Sequence, residues 1–86
     1  MALRILGAAD DVPEQIEAAI KASLPDAQVT VTAGGAAHYQ LAVVSAAFAG
    51  KSMVQQHQLV YRAITPLMAG DAPPVHAIDR LTTKAS

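Results

Sequence analysis

The sequence predicts an α+β fold: a two-layer αββαβ sandwich in which both helices cover one face of a three-stranded mixed sheet. Three observations predict it. Apolar residues recur at helical spacing in two segments. Two strand-like runs between these segments are joined by a short glycine-containing loop, as in an antiparallel hairpin. A third strand-like run follows the second helix, so the crossover should make it parallel to the second strand.

The first helix is predicted over residues 12–24. Asp11 can cap it, and Glu14 stands three residues later, as in a capping box. Pro13 fits the first turn, and Pro25 ends the helix at or before Leu24. One narrow apolar stripe runs along it, made by Ile16, Ala19, Ile20 and Leu24.

The strands are predicted from alternation and from apolar runs. Residues 28–32 alternate valine and threonine, which is typical of a half-buried strand, and residues 33–37 form a flexible loop of small side chains. Residues 38–45 are apolar on both faces in their second half, which indicates a central strand. The last strand is predicted over residues 75–82, after a stiff turn rich in proline.

The second helix is predicted to begin at Ser52, which forms a capping-box pair with Gln55. Its apolar stripe continues from Met53 to Leu67. Pro66 should kink the helix or end it near Thr65, and the residues that follow can add one further turn before Gly70.

Length and composition bound the class of protein. The chain has 86 residues, 52% of them hydrophobic, which is enough for one small domain, expected over residues 12–83. Residues 1–11 are expected to form a flexible tail, and residues 84–86 a short second tail. No targeting signal is convincing, and no apolar run approaches the roughly 18 residues of a membrane span. We therefore expect a soluble cytoplasmic protein without a membrane partner.

The absence of cysteine excludes a disulfide, a thiol nucleophile and any cysteine-ligated metal site made by this chain alone. Three histidines remain. His57 falls on the apolar stripe of the second helix and is expected to pack there with one ring nitrogen bonded. His38 and His76 begin the second and third strands, and the starts of parallel strands lie at one end of a sheet. Taken alone, His38 is typical of a solvated or turn-stabilising residue. The alternative is that His38 and His76 form a two-histidine site whose remaining ligands come from a partner.

Catalytic motifs find little support, and we expect no enzymatic activity. Gly50-Lys51-Ser52 stands between a strand and a helix, as in a phosphate-binding loop, but Ser45 occupies the position of the earlier glycine. The structural interpretation is that Gly50 turns the chain, Ser52 caps the helix and Phe48 enters the core. No paired carboxylates fall on an apolar background.

Nucleic-acid binding is the other functional class that the sequence leaves possible. The element order is similar to the type II KH arrangement, whose GXXG loop clamps the nucleic-acid backbone. Neither Gly34-Gly35 nor Gly50-Lys51-Ser52-Met53 has that pattern, and the net charge is −1. The cations that such a role would use are Lys51, Arg62 and Arg80.

Several linked segments resemble the BolA family. Residues 38–52 contain a strand ending in Val-Val-Ser followed by Phe-x-Gly-x-Ser, and residues 54–61 end in Val-Tyr, as that family does. Val75-His76-Ala77-Ile78 matches the family's Ile-His-Ala-Leu, and residues 16–26 resemble its first helix and Leu-Pro-Asp exit. The resemblance covers about residues 12–83.

This resemblance implies a non-enzymatic partner of monothiol glutaredoxins that shares a [2Fe–2S] cluster with them. We expect the chain to be a monomer or weak dimer when alone. The resemblance also implies that His76 is a cluster ligand. The family's second ligand, cysteine or histidine, lies in the loop between the first two strands. Its strict position is Gly35 here, and His38 is the nearest residue able to ligate. The alternative that the resemblance carries is a KH-like DNA-binding transcriptional regulator of stress or morphology.

Overall fold

A computed structural model describes residues 12–71 and 73–86 and confirms the αββαβ order. The tail predicted at residues 1–11 lies outside the described residues. The elements are α1 (Val12–Ser23), β1 (Gln28–Gly35), β2 (His38–Val44), α2 (Met53–Met68) and β3 (Ala77–Lys84). The central strand β2 is antiparallel to β1 and parallel to β3.

Both helices pack on the same face of the sheet, as predicted. α1 contacts β1, α2 contacts β3, and the two helices contact each other. The helix-facing side chains of β2 are buried, whereas Gln40, on the opposite face, is exposed. The core therefore lies between the two layers, where apolar side chains leave water. Its fully buried members include Ile16, Ile20, Val43, Phe48, Val60, Ile64 and Val75.

The β1–β2 hairpin is tighter than the sequence predicts, and the prediction of a loop over residues 33–37 is wrong. β1 continues to Gly35, and the connection has only two residues, Ala36 and Ala37, with φ of +51° and +64°. Positive φ at both positions is the geometry that best matches the twist of paired strands. The extra residue, Gly34, forms a bulge where the β1–β2 register shifts.

Helix α2 continues through Pro66 to Met68. The predicted end near Thr65 is therefore wrong, whereas the further turn predicted before Gly70 is present in part. Pro66 stands in the last turn, where the missing N–H removes a single backbone hydrogen bond. The predicted capping box at Ser52 is present. In the described part of the chain, no helix combines the length and the apolar content needed to cross a bilayer.

Strand β3 lies two residues later than predicted, from Ala77 to Lys84. Val75 is fully buried, and its N–H donates to the carbonyl of Leu67, 3.1 Å away, instead of joining the β-ladder. The segment before β3 therefore anchors the crossover in the core, and His76 stands at the point where the chain enters the sheet.

Candidate functional site

The structure brings His38 and His76 together at one end of the sheet. His38 is the first residue of β2 and pairs with Ala77, the first residue of β3. The backbone N–H of His76 donates to the carbonyl of Ala37 at 2.9 Å, which fixes the entry to β3. The two imidazole centroids are 5.5 Å apart and the ring planes are 85° apart. The predicted approach of the two histidines is confirmed, while their role as ligands stays a prediction.

Both rings are accessible to a partner molecule. The His38 side chain is 37% exposed, and His76 is exposed. Within residues 12–71 and 73–86, no three histidine, aspartate or glutamate side chains converge in a way that could hold a metal ion. At this end of the sheet the described residues therefore supply two imidazole rings, which is fewer ligands than a tetrahedral metal ion takes.

Asp79 is the residue of this site that sequence reasoning missed. Its Oδ1 lies 2.8 Å from Nδ1 of His38, although the two residues are 41 positions apart. The β2–β3 register shifts between the Tyr39 and Gln40 pairs and skips Asp79, which forms a bulge. No residue pattern in the sequence marks this position, because the bulge decides where the carboxylate lies.

Gly34 lies beside this histidine–aspartate pair. A Cβ built there would lie 3.3 Å from the backbone oxygen of His38 and 3.7 Å from Oδ2 of Asp79. A side chain at this position would be tight against the β2 backbone and in ordinary contact with the Asp79 carboxylate, so Gly34 borders the pair. Two bulges, one in β1 and one in β3, thus flank His38 on its two sides.

A second polar cluster, around Asp26, has a structural role. The backbone N–H of Ala46 donates to Asp26 Oδ2 at 2.8 Å, and the buried Ser45 hydroxyl donates to Oδ1 at 2.7 Å. These two bonds favour the charged form and lower the pKa of Asp26 below its usual value. Ser45 is thus a buried donor to a carboxylate, and its Oγ also accepts from the N–H of Ala47.

The Gly50-Lys51-Ser52 segment follows the structural interpretation made from the sequence. Gly50 has φ of +75°, which turns the chain, and Phe48 is fully buried. The Ser52 hydroxyl accepts from the N–H of Gln55 at 3.2 Å, and Gln55 Oε1 accepts from the N–H of Ser52 at 3.0 Å. The loop therefore builds a turn, a core contact and a helix cap.

The three candidate nucleic-acid-binding cations do not come together. Lys51 and Arg62 line a shallow groove along α2, together with Gln55, Gln58 and Leu59. Arg80 instead lines the open face of the sheet, with Thr30, Thr32, Gln40 and Thr82 among its neighbours. The cations are therefore split between opposite sides of the domain.

His57 is half-buried on α2, in keeping with the packing interpretation. The prediction that one ring nitrogen is bonded finds no support at Nε2, which is buried and has no hydrogen-bond partner among the described residues. The structure does not bring this ring into a common metal-binding group with His38 and His76.

Comparisons with known proteins agree with this architecture. The sequence matches the profile of the BolA-like proteins over residues 15–86. BolA-like protein 1 of Mus musculus is 38% identical, and the match covers 73% of this chain and 53% of the mouse protein. This chain therefore spans about half the length of that relative.

Two solved structures have the same fold. A BolA protein homologue from Coxiella burnetii has a TM-score of 0.67 and 28% identity, covering 84% of this chain and 87% of that one. The BolA domain of SufE1 from Arabidopsis thaliana also has a TM-score of 0.67 and 28% identity, covering 84% of this chain and 88% of that domain. Since the profile match spans most of the sequence and includes both candidate histidines, this chain belongs to the BolA-like protein family.

Proposed function

We propose that this chain is a non-enzymatic adaptor that pairs with a monothiol glutaredoxin and shares a [2Fe–2S] cluster with it, in iron–sulfur trafficking or iron regulation. The observation that carries the proposal is the accessible pair formed by His38 and His76, whose ring centroids are 5.5 Å apart. Family membership supports it, because His76 stands in the Val75-His76-Ala77-Ile78 motif that resembles the family's ligand motif.

The donor set fits half of such a cluster. The chain has no cysteine, so the His38–His76 pair offers iron imidazole nitrogens and no thiolate. Two histidines on one iron are an established arrangement in [2Fe–2S] chemistry. Two imidazoles bound to one tetrahedral metal have ring centroids roughly 5 Å apart, given metal–nitrogen bonds of about 2.1 Å. The observed separation is close to that value. The thiolates for the other iron would come from the glutaredoxin cysteine and from glutathione.

The fold holds the two rings near this separation before any partner arrives. Parallel pairing of β2 with β3 sets the backbone spacing, and the Ala37 carbonyl fixes the backbone at His76. Because little backbone ordering is left for the binding step, less conformational entropy is lost when the complex forms. The cluster is cargo in this scheme. The chain binds one iron of the cluster through histidine nitrogens and then releases the cluster to the next acceptor.

The distribution of charge favours the adaptor over a DNA-binding regulator. Protein–DNA affinity comes largely from cations that neutralise phosphates and release counterions. This chain has a net charge of −1, and its candidate cations, Lys51, Arg62 and Arg80, lie on two sides of the domain.

The proposal is tested by reconstituting a cluster with this chain, a monothiol glutaredoxin, glutathione, iron and sulfide. We expect visible absorption and circular dichroism bands that differ from those of the glutaredoxin alone. His76→Ala should abolish that difference, and His38→Ala should weaken it. His57→Gln is the matched control and should behave as wild type, since its ring lies outside the histidine pair. Identical spectra with and without the wild-type chain would refute the proposal.

A further inference from the structure

We infer that Asp79 is a positioning residue that holds His38 as the Nδ1–H tautomer and so leaves Nε2 as the ligating atom of that ring. The inference rests on the proposed function in one respect, namely that His38 binds iron. The tautomer itself follows from contacts within the chain, and it can be tested without a partner.

The tautomer follows from hydrogen-bond chemistry. A neutral imidazole has one N–H and one lone pair, and an ionised carboxylate can only accept. With Nδ1 of His38 and Oδ1 of Asp79 2.8 Å apart, the proton of the neutral ring must lie on Nδ1. The lone pair that remains available to a metal is then on Nε2.

The surroundings of Asp79 suit this task. The residue lies at the β3 bulge, so it is outside the regular β2–β3 pairing, and Gly34 borders its carboxylate. The His38 and Asp79 side chains are 37% and 48% exposed, and exposed ion pairs contribute little to stability. A role in global stability therefore explains the pair poorly, whereas orientation of a ligand ring explains it well.

Such an outer carboxylate has known effects on a ligating histidine. It fixes the ring orientation and raises the basicity of the nitrogen that binds the metal, and its removal typically costs about 10- to 100-fold in metal affinity. We therefore assign to Asp79 the role of determining which nitrogen of His38 binds the cluster. Among the described residues, no carboxylate is bonded to the His76 ring in the same way.

The first test is nitrogen-15 NMR of the free protein at a pH above the range in which histidines are protonated. In wild type, His38 should show Nδ1 as the protonated nitrogen and Nε2 as the unprotonated one. Asp79→Ala should move the proton toward Nε2, the tautomer that free histidine favours. Asp71→Ala removes another exposed carboxylate and should leave the His38 resonances unchanged. A wild-type His38 protonated on Nε2, or no response to Asp79→Ala, would overturn the inference.

The second test measures the cluster complex by spectroscopic titration with the glutaredoxin. Asp79→Ala should weaken the complex about 10- to 100-fold, and Asp79→Asn should restore much of the loss because its amide oxygen still accepts from Nδ1. In a His38→Ala background the Asp79 substitution should have no further effect. An equal loss in both backgrounds would show that Asp79 does not act through His38. Absence of any cluster complex with the wild-type chain would instead refute the proposed function, and the NMR result on Asp79 would stand apart from it.

Discussion

Asp26 joins two loops of the fold through its carboxylate, which accepts from the backbone of Ala46 and from the hydroxyl of Ser45. Ser45 is fully buried. A buried hydroxyl that loses its hydrogen-bond partner still incurs its desolvation penalty, which lowers the stability of the fold. The charge on this one side chain therefore contributes to the packing between the α1–β1 connection and the turn after β2.

Acid should weaken the fold through Asp26. Its pKa is lowered in the folded state, so as pH falls the unfolded chain binds a proton before the folded one does. The stabilisation is therefore complete above the ordinary carboxyl pKa of about 3.9 and is lost as pH falls through the folded-state value. We expect Asp26→Asn to be less stable than wild type near neutrality and the difference to shrink below about pH 4.

This prediction is checked by urea unfolding of both proteins over that pH range. Asp71→Asn serves as the control, because Asp71 is exposed. A wild-type advantage over Asp26→Asn that stays constant with pH would contradict the role assigned to the carboxylate.

Phe48 is the largest fully buried side chain of the core. Phe48→Ala should lower the free energy of unfolding by about 3–5 kcal/mol, a large part of the total for so small a domain. Val54→Ala is the matched control, since Val54 is 65% exposed, and it should change stability by less than about 0.5 kcal/mol. Thermal and urea unfolding measure both, and equal effects would show that Phe48 is not a core residue.

Sequence reasoning reached His38 and His76 because the predicted parallel pairing places the starts of β2 and β3 together. It did not reach Asp79, since a bulge in the ladder decides where that carboxylate lies, and no residue pattern marks the bulge. The Asp26–Ser45 bond was missed for a related reason. It joins positions 19 residues apart through two irregular segments, for which periodicity carries no information.

Within residues 12–71 and 73–86, the non-glycine residues with positive φ lie in the β1–β2 turn, which is therefore under backbone strain. Ala36 and Ala37 both have positive φ, a conformation that costs L-residues roughly 1–2 kcal/mol each. Ala36 is exposed, so its side chain contributes little packing. Ala36→Gly should therefore raise the free energy of unfolding by about 1 kcal/mol, after allowance for the extra freedom of glycine in the unfolded chain.

Ala33→Gly tests whether that gain belongs to the turn. Ala33 pairs with Tyr39 inside the ladder, where glycine should lower stability by about 0.5–1 kcal/mol. Opposite signs for the two substitutions, measured by urea unfolding, are the expected result. A loss of stability with Ala36→Gly would contradict the strained turn.

Element order could be predicted from the sequence, whereas the ends of β1 and α2 and the bounds of β3 could not. Residues 33–37 carry only alanine and glycine, so no alternation of side chains marks the end of β1. Pro66 disfavours a helix, but it stands in the last turn of α2, where it removes one backbone hydrogen bond. The carbonyl of Leu67 in the same turn accepts from the N–H of Val75 at 3.1 Å, a contact that the local sequence does not indicate.

At the scale of the whole molecule, charge separates the two candidate functions. With a net charge of −1 and Lys51 and Arg62 on a different side from Arg80, few phosphates can be neutralised together. We expect fluorescence anisotropy with duplex DNA to show little binding even at low salt, and Lys51→Ala with Arg62→Ala to change nothing. Tight binding with a steep salt dependence, lost in that double variant, would favour the regulator instead.

In the proposed function, the domain presents the end of its sheet that carries His38, His76 and Asp79 to a partner that supplies the thiolates. The most direct test is pulsed electron paramagnetic resonance of the reduced cluster complex, made with nitrogen-15 in this chain and unlabelled glutaredoxin. Strong nitrogen-15 hyperfine coupling to iron is predicted, and His76→Ala should remove it or abolish the complex. A cluster complex containing this chain but lacking any nitrogen-15 coupling would contradict histidine ligation.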